Sequence, residues 1–274
     1  MNVMTQFAAT GPHISIKAET LFHVLGIPIT NSLLLGLIGY GILITVMILL
    51  ARSIQRGSRS RFAIAGQWLF EMLYKMTVDV LGDKKLARRV APLAITIFLA
   101  VMFNNWLGTM PGVGPIHYNG QPLFRGLAAD LNFTFALAMI TMVAVQLYAI
   151  KQHGIWGNAR RYLINPFKNP VGTFEGLLEF IGEFSRFVAL SMRLFGNVFG
   201  GEVLLTVIAY LTSWFGWLPL PLFMGFELFI GALQAFVFYM LTIIFISLAV
   251  SHGDHGSDHS PAHVSQTKMT GSDA

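Results

Sequence analysis

The chain has 274 residues, of which 54% are hydrophobic and only 11% charged, and its formal net charge is +5. Soluble domains carry about 25% charged residues, so this composition excludes an ordinary soluble domain and indicates one domain solvated mostly by lipid. The basic residues cluster beside apolar segments, where they orient membrane proteins, so the positive charge does not indicate nucleic-acid binding. The absence of cysteine excludes disulfides and thiolate metal sites.

Residues 1–31 precede the first long apolar run. They lack the basic start and short apolar core of a cleaved signal peptide, so we expect an extracytoplasmic N-terminal segment. The first predicted span is 32–51, about 20 residues, which is the length that a helix needs to cross ~30 Å of hydrocarbon. A basic cluster follows this span at 52–61.

The segment 62–83 has a different pattern. Its apolar residues fall on one helical face, and its polar residues recur every four positions on the opposite face: Gln67, Glu71, Lys75, Asp79 and Asp83. A helix of this kind, with basic flanks, is better suited to lying on a membrane than to crossing it. The pattern predicts an in-plane amphipathic helix.

Two further spans are predicted at 91–107 and 131–150, with a Gly/Pro-rich loop between them. This loop lacks the Lys-Ser/Thr ending of a P-loop, so we interpret it as a plain turn and not as a phosphate site. The final two apolar runs, 173–211 and 220–250, would be about 58 and 46 Å long as unbroken helices. Both exceed the hydrocarbon thickness, which favours a pair of steeply tilted, adjacent helices.

The loops at 52–61, 84–89 and 151–168 are basic, which places the N-terminus outside and the C-terminus in the cytoplasm. The polar tail 251–274 is expected to be disordered. Its histidines are interpreted as solvated and not as metal ligands. The fold class is therefore all-α: a polytopic membrane protein with one membrane domain at 32–250, five transmembrane helices, the last two long and tilted, and one in-plane amphipathic helix.

Ionisable residues inside transmembrane segments are costly and indicate function by default. The first three predicted spans carry no charge within their apolar cores. The charged and amide side chains of interest lie on the last two spans: Glu175, Glu179, Glu183, Arg186, Arg193, Asn197 and Glu202 on the fourth, and Glu227 and Gln234 on the fifth.

Helical spacing orders these groups around Arg193. Glu179, Arg186 and Arg193 follow one another at intervals of seven residues and form a single row, and Asn197 joins that face. Glu202 lies about 13 Å further outward on roughly the opposite side. If Gln234 is level with Arg193, then Glu227 lies outside the arginine together with Glu202.

Carboxylates in hydrated pockets relay protons, whereas an arginine does not release one. The order therefore predicts two half-channels separated by the Arg193 cation. The alternative is a buried Arg–Glu network that only joins helices, which applies most to Glu183 and Arg186. No carboxylate lies within one turn of Arg193, so its partner would come from another subunit.

One segment carries a family resemblance. Residues 191–202, SMRLFGNVFGGE, together with LQAFVF at 233–238 and LTII at 241–244, resemble the signature of subunit a of rotary ATP synthases. Weaker matches lie at 29–32, 104–108 and 129–134, so the resemblance covers roughly residues 20 to 250.

The resemblance implies roles for matching positions. Arg193 matches the stator arginine that faces the carboxylate of the rotating c-ring, and Asn197 and Gln234 match its polar neighbours. Glu202 matches an outer half-channel carboxylate and Glu179 an inner one. Relatives place His or Glu at the position of Glu227, which leaves open which of the two outer glutamates titrates.

The resemblance further implies a proton-conducting subunit that is not catalytic by itself and needs neither a cofactor nor a metal. Its implied partners are the c-ring proteolipids, the peripheral-stalk b subunits, the rest of the ATP synthase, membrane lipid and the translocated H⁺. The long polar tail and the lack of a transit-peptide pattern favour a bacterial plasma (inner) membrane over an organelle. Na⁺ remains open as the coupling ion. The alternative is a stand-alone secondary transporter or exchanger, but such proteins show paired repeats, and here the two halves differ.

Overall fold

The computed structural model describes residues 15, 18–24, 27–57, 60–110, 113, 116–118, 121–162, 170–212 and 215–251. Within these ranges the chain forms six long helices and two short hairpins. Five of the helices are long and apolar enough to cross a membrane. The prediction of an all-α polytopic membrane protein is thus confirmed. The predicted tail at 252–274 and most of the segment before residue 18 lie outside the described residues.

The first described element is an antiparallel hairpin of β1 (Thr20–Val24) and β2 (Ile27–Thr30), which the sequence pattern did not predict. It leads directly into helix α1 (Asn31–Gln55). The Thr30 side chain caps this helix by accepting a hydrogen bond from the Leu33 N–H at 3.2 Å. The hairpin therefore fixes where the first span begins.

Helix α2 (Arg61–Leu81) corresponds to the predicted amphipathic helix. Ser60 caps its start, and Gly82, with a φ of 69°, ends it in the left-handed region. Leu73 and Thr77 are buried against the other helices, whereas Trp68 stays 65% exposed. This helix is not among the five candidate spans.

Helix α3 (Lys84–Thr109) begins seven residues before the predicted span at 91. The difference arises because Asp83 caps the helix, accepting from the Lys85 N–H at 2.8 Å, so that the basic segment is helical as well. A small hairpin of β3 (His117–Tyr118) and β4 (Gln121–Pro122) and a 3₁₀ turn (Leu127–Ala129) follow. The sequence did not predict these elements, which lie between the Gly/Pro-rich turn and α4. Residues 111, 112, 114 and 115 of that turn lie outside the described residues.

The remaining helices are α4 (Leu131–Tyr162), α5 (Pro170–Thr212) and α6 (Pro219–Ser251). Helix α4 changes direction at Gly154, whose φ of 74° and ψ of 165° are not helical, and its candidate span ends at Gln152. Helix α5 is continuous over 43 residues and α6 over 33. At 1.5 Å per residue these helices are about 65 and 50 Å long, as their long apolar runs predicted.

Helices α3 and α6 make the most extensive packing in the bundle. Their shared core contains Phe98 of α3 and Phe238 and Tyr239 of α6, with Leu190 and Leu194 of α5 packed beside them. The two helices that carry the ionisable groups are thereby fixed against each other and against α3. This core determines which side chains of α5 and α6 point inwards and which remain at the surface.

Candidate functional site

Arg125, in the loop before α4, forms an ion pair with Glu202 of α5. The Nε–H of Arg125 donates to Oε2 of Glu202 at 3.2 Å. The arginine side chain is only 5% exposed, whereas that of Glu202 is 41% exposed. The guanidinium carbon also lies 5.8 Å from the centre of the Phe199 ring. A buried cation from the loop thus holds the carboxylate that the sequence had assigned to the outer half-channel.

Two glycines bring this loop close to the helices. A Cβ at Gly108 would lie 3.0 Å from the Cα of Gly126, so the two backbones nearly touch. A Cβ at Gly126 would in turn lie 3.7 Å from Val198 on α5. Val198 is one helical turn before Glu202. The backbone next to Arg125 therefore packs directly on α5. This packing brings the Arg125 side chain within hydrogen-bonding distance of Glu202.

Asp130 joins the same loop to the first span. One of its carboxylate oxygens accepts a hydrogen bond from the Ser32 hydroxyl at 3.0 Å, and the other accepts from the Asn132 N–H at 3.0 Å. The Asn31 amide donates to the carbonyl of Pro122 at 3.2 Å. These contacts involve residues 29–32 and 129–134, two segments that weakly match the family resembled by the sequence. They fix the loop that carries Arg125 to the start of α1.

The structure brings Glu227 of α6 next to Glu202. A Cβ built on Gly201 would lie 1.7 Å from Oε1 of Glu227, so the carboxylate occupies the space beside the glycine backbone. Gly201 directly precedes Glu202, and the two carboxylates interact electrostatically. The sequence placed these two acids at similar depth, but it did not indicate that a glycine admits one of them against the opposite helix.

Helix α3 holds α6 in place at this level. The indole N–H of Trp106 donates to the Leu228 carbonyl at 3.0 Å, and the Asn105 amide donates to the Gly231 carbonyl at 3.4 Å. A Cβ at Gly231 would lie 3.1 Å from the Cβ of Asn105, which shows how closely the helices approach. Side chains of residues 104–108, one of the weaker matches to the family, therefore position the segment of α6 between Glu227 and Gln234.

Arg193 lies on an exposed part of α5. Within the part of the chain that the structure describes, its guanidinium makes no hydrogen bond or ion pair. Gln234 has the opposite environment: it is 7% exposed, and among the described residues its Nε2 has no hydrogen-bond partner. Asn197 is partly buried. Arg193 is thus turned towards the surface, whereas Glu202 points to the loop.

The inner group of acids is arranged differently. Glu183 accepts a hydrogen bond from the Gln146 amide of α4 at 2.6 Å, and Arg186 lies over the Phe245 ring of α6 at 5.4 Å. Glu179 is partly buried, and the side chain of Glu175 lies outside the described residues. An open cavity of about 300 Å³ between α4 and α5 includes Gln146 and Glu183 in its lining. Glu183 and Arg186 therefore join α5 to different neighbouring helices.

The residues described include no group of three His, Asp or Glu side chains that would hold a metal ion. The histidine-rich tail lies outside these residues. Sequence reasoning missed Arg125, Asn105 and Trp106 as parts of the site. One signal for Arg125 was present, because it is the one charged residue between 108 and 129.

The fold and this site define a multi-pass helical membrane protein whose last two helices carry a cluster of ionisable side chains. The family model for the ATP synthase A chain matches residues 33–247, and the chain belongs to that family. The family resemblance found in the sequence is confirmed. Members are membrane-sector subunits that act with the rest of the ATP synthase and are not catalytic by themselves.

Individual relatives agree with this assignment. The chain is 32% identical to ATP synthase subunit a of Acidothermus cellulolyticus, over 70% of this chain and 67% of the relative. It is 34% identical to that of Mycobacterium leprae, over 62% and 66%, and 35% identical to that of Aliivibrio salmonicida, over 69% and 73%. The matched segments thus span about two thirds of the length of the first two relatives and somewhat more of the third.

Proposed function

We propose that this chain is the stator subunit that conducts protons between the two membrane surfaces and a rotating c-ring. The observation that carries this proposal is the exposed Arg193. A guanidinium within a membrane span is costly unless a partner compensates its charge. Since Arg193 has no ion-pair partner within the described chain, a carboxylate of another subunit is the fitting counter-ion.

The surface around Arg193 supports close approach by a partner helix. Gly196 and Gly200 lie three and seven residues beyond Arg193 and therefore share its face. A Cβ built on either glycine would meet nothing within 4 Å in this chain. Small residues at such positions let transmembrane helices pack closely, which suits a ring that must bring its carboxylate near the arginine.

In the proposed mechanism a proton enters from outside through the pocket of Glu202 and Glu227. It neutralises a ring carboxylate, and the ring then rotates this group into lipid at far lower cost than a charged one. After nearly a full turn the group reaches the inner half-channel and releases its proton past Glu179. Asn197 and Gln234 are the polar neighbours of Arg193 in this scheme.

Arg193 has two roles in this scheme. Its charge stabilises the deprotonated ring carboxylate and so favours proton release on the inner side. Because arginine does not release its own proton, it also prevents direct leakage between the half-channels. On the inner side Glu175, Glu183 and Arg186 are secondary candidates, and the hydrogen bond to Gln146 favours a structural role for Glu183.

The proposed location is a bacterial inner membrane, with the N-terminus outside and the C-terminus in the cytoplasm, as the distribution of Lys and Arg favours. Helix α2, charged on one face and apolar on the other, is proposed to lie in the plane of the membrane. The proposed partners are the c-ring and the peripheral-stalk b subunits.

Replacing Arg193 by Ala tests the proposal. ATP synthesis and ATP-driven proton pumping are measured in membrane vesicles, together with the amount of assembled complex. We expect assembly close to that of the unmodified protein and loss of both coupled activities. Arg61→Ala, an exposed arginine at the start of α2, is the matched control and should retain coupling.

Normal ATP-driven pumping by Arg193→Ala would contradict the assigned role. The alternative function, a stand-alone transporter, predicts that the chain purified without any ring moves ions in liposomes. The stator proposal predicts that this preparation is inactive until the ring is supplied.

A further inference from the structure

We propose that Arg125 assigns different tasks to the two outer carboxylates. It holds Glu202 as a fixed anion and leaves Glu227 as the acid that exchanges protons with the outer pocket. Arg125 is on this view a positioning residue, because it acts on the proton path through Glu202. The inference rests on the proposed stator function and deepens it.

The contact between Arg125 and Glu202 is the first step. Arginine remains charged in proteins, and the Arg125 side chain is 5% exposed. A cation so far removed from water needs an ionised partner, and its hydrogen bond to Glu202 at 3.2 Å supplies one. The nearby cation favours the ionised form of Glu202, and protonating Glu202 would remove the negative charge from this ion pair. Glu202 is therefore poorly suited to binding and releasing a proton in every cycle.

The surroundings of Glu227 differ. Its carboxylate lies against the backbone of Gly201, and the charged group that acts on it most is the neighbouring Glu202. Two adjacent carboxylates are not both ionised at low cost, and the described contacts give a cation only to Glu202. Glu227 is therefore the member of the pair for which binding a proton relieves repulsion.

The other elements around the pair carry no charge towards it in the described part of the chain. Helix α3 contributes Trp106 and Asn105, which bond to the backbone of α6. Among the described residues, the charged groups that face Glu227 and Glu202 are thus each other and Arg125. Removing one charge at a time should change proton exchange in predictable directions.

The test uses the whole ATP synthase in proteoliposomes. The pH is varied in the compartment next to the pocket of Glu202 and Glu227, which corresponds to the outside of the cell. The rate of ATP synthesis is recorded against that pH, and the assembled complex is quantified for each variant. Glu227→Gln should lose synthesis by at least about tenfold, since it removes the exchanging acid. Glu202→Gln should keep measurable synthesis, because its carboxylate does not need to titrate.

The midpoint, which is the pH at which the rate of ATP synthesis is half-maximal, distinguishes a positioning role of Arg125 from a merely structural one. Arg125→Gln leaves an uncompensated Glu202 anion beside Glu227, so the midpoint should move about one unit towards alkaline pH. Glu202→Gln leaves the cation instead and should move it towards acid pH. The double variant restores neutrality and should return the midpoint towards that of the unmodified protein, while Arg125→Lys should shift it least.

Three results would overturn the inference. One is synthesis by Glu227→Gln with loss in Glu202→Gln, which would reverse the two tasks. Another is an unchanged midpoint in Arg125→Gln. If that variant fails to assemble, an unchanged midpoint in Glu202→Gln is equally decisive. Failure of the stator proposal would be seen separately, as normal coupling in Arg193→Ala.

Discussion

The carboxylate of Glu227 on α6 occupies the space that a side chain at Gly201 on α5 would fill. An ideal Cβ at this glycine would lie 1.7 Å from Oε1 and 2.0 Å from Oε2 of Glu227. The glycine thus allows an acid of one helix to lie beside the backbone of the other, next to Glu202. The outer pair of carboxylates depends on the absence of one methyl group.

Gly201→Ala should therefore displace the Glu227 carboxylate. The side chain is flexible at its end, so we expect the helices to stay packed while the carboxylate moves away from Glu202. Proton pumping and ATP synthesis should fall with little loss of assembled complex, as measured in membrane vesicles.

Gly41→Ala is the matched control, because a Cβ there meets nothing within 4 Å and the residue also lies inside a helix. It should leave pumping unchanged. Full pumping by Gly201→Ala, with assembly equal to that of the control, would show that the position of this carboxylate does not matter.

The second prediction concerns the buried hydrogen bond between Thr77 of α2 and Tyr239 of α6. The two hydroxyl oxygens are 2.7 Å apart, and both residues are fully buried. Tyr239→Phe should destabilise the packing of α2 on the bundle by about 1–2 kcal/mol, because it removes the hydroxyl that bonds to Thr77 and donates to the Leu73 carbonyl, and it keeps the ring. The measurement is the temperature at which the detergent-solubilised complex releases this subunit.

Tyr210→Phe serves as the comparison, since Tyr210 is 49% exposed on α5. It should leave the release temperature unchanged. Equal effects of the two substitutions would mean that the contacts of the Tyr239 hydroxyl with Thr77 and Leu73 add no stability.

The third prediction distinguishes the roles of the two inner carboxylates Glu183 and Glu179. Glu183 is hydrogen-bonded to Gln146 at 2.6 Å, and a glutamine at 183 can still form a hydrogen bond with that amide. Glu183→Gln should therefore keep most of the ATP synthesis activity. Glu179→Gln should lose most of it, because Glu179 is the proposed proton-releasing group on the inner side.

Rates of ATP synthesis in vesicles, normalised to assembled complex, compare the two variants directly. If Glu183→Gln loses more activity than Glu179→Gln, the proton path on the inner side runs past Glu183 and the cavity beside it.

The fourth prediction concerns orientation. The chain contains no cysteine, so any introduced cysteine is the one labelled site. Lys85→Cys, in the basic first turn of α3, should react with a membrane-impermeant thiol reagent from the cytoplasmic side. Ile116→Cys, 47% exposed in the loop that follows α3, should react from the outside. Leu35→Cys, 6% exposed, is the unreactive control. The opposite sidedness would contradict the proposed topology.

The helices were largely predictable because each depends on local chain properties. An apolar run of sufficient length forms a helix wherever lipid leaves the backbone no other hydrogen-bond partner, which is why α1, α5 and α6 closely match the predicted runs. The start of α3 was less predictable. Its first two turns are basic, so hydropathy excluded them, while the Asp83 cap and continuous hydrogen bonding make them helical.

The ionisable residues on α5 and α6 were also identified from the sequence, because charge is rare in an apolar helix. The contacts of these residues were not predictable. Arg125 and Glu202 are 77 residues apart, and their pairing depends on the close backbone approach of Gly108 and Gly126. No periodicity within one helix encodes a contact of that kind.

By itself, the sequence determined the membrane class, the number of spans, the family and the set of charged groups, since all of these follow from the order of residues along single helices. Only the tertiary structure decided which groups meet. It turned Arg193 to the surface, placed Glu227 against Gly201 and gave Glu202 a buried cation from a distant loop. The physical reason is that helix packing is set by side-chain shapes and glycine contacts across several elements at once.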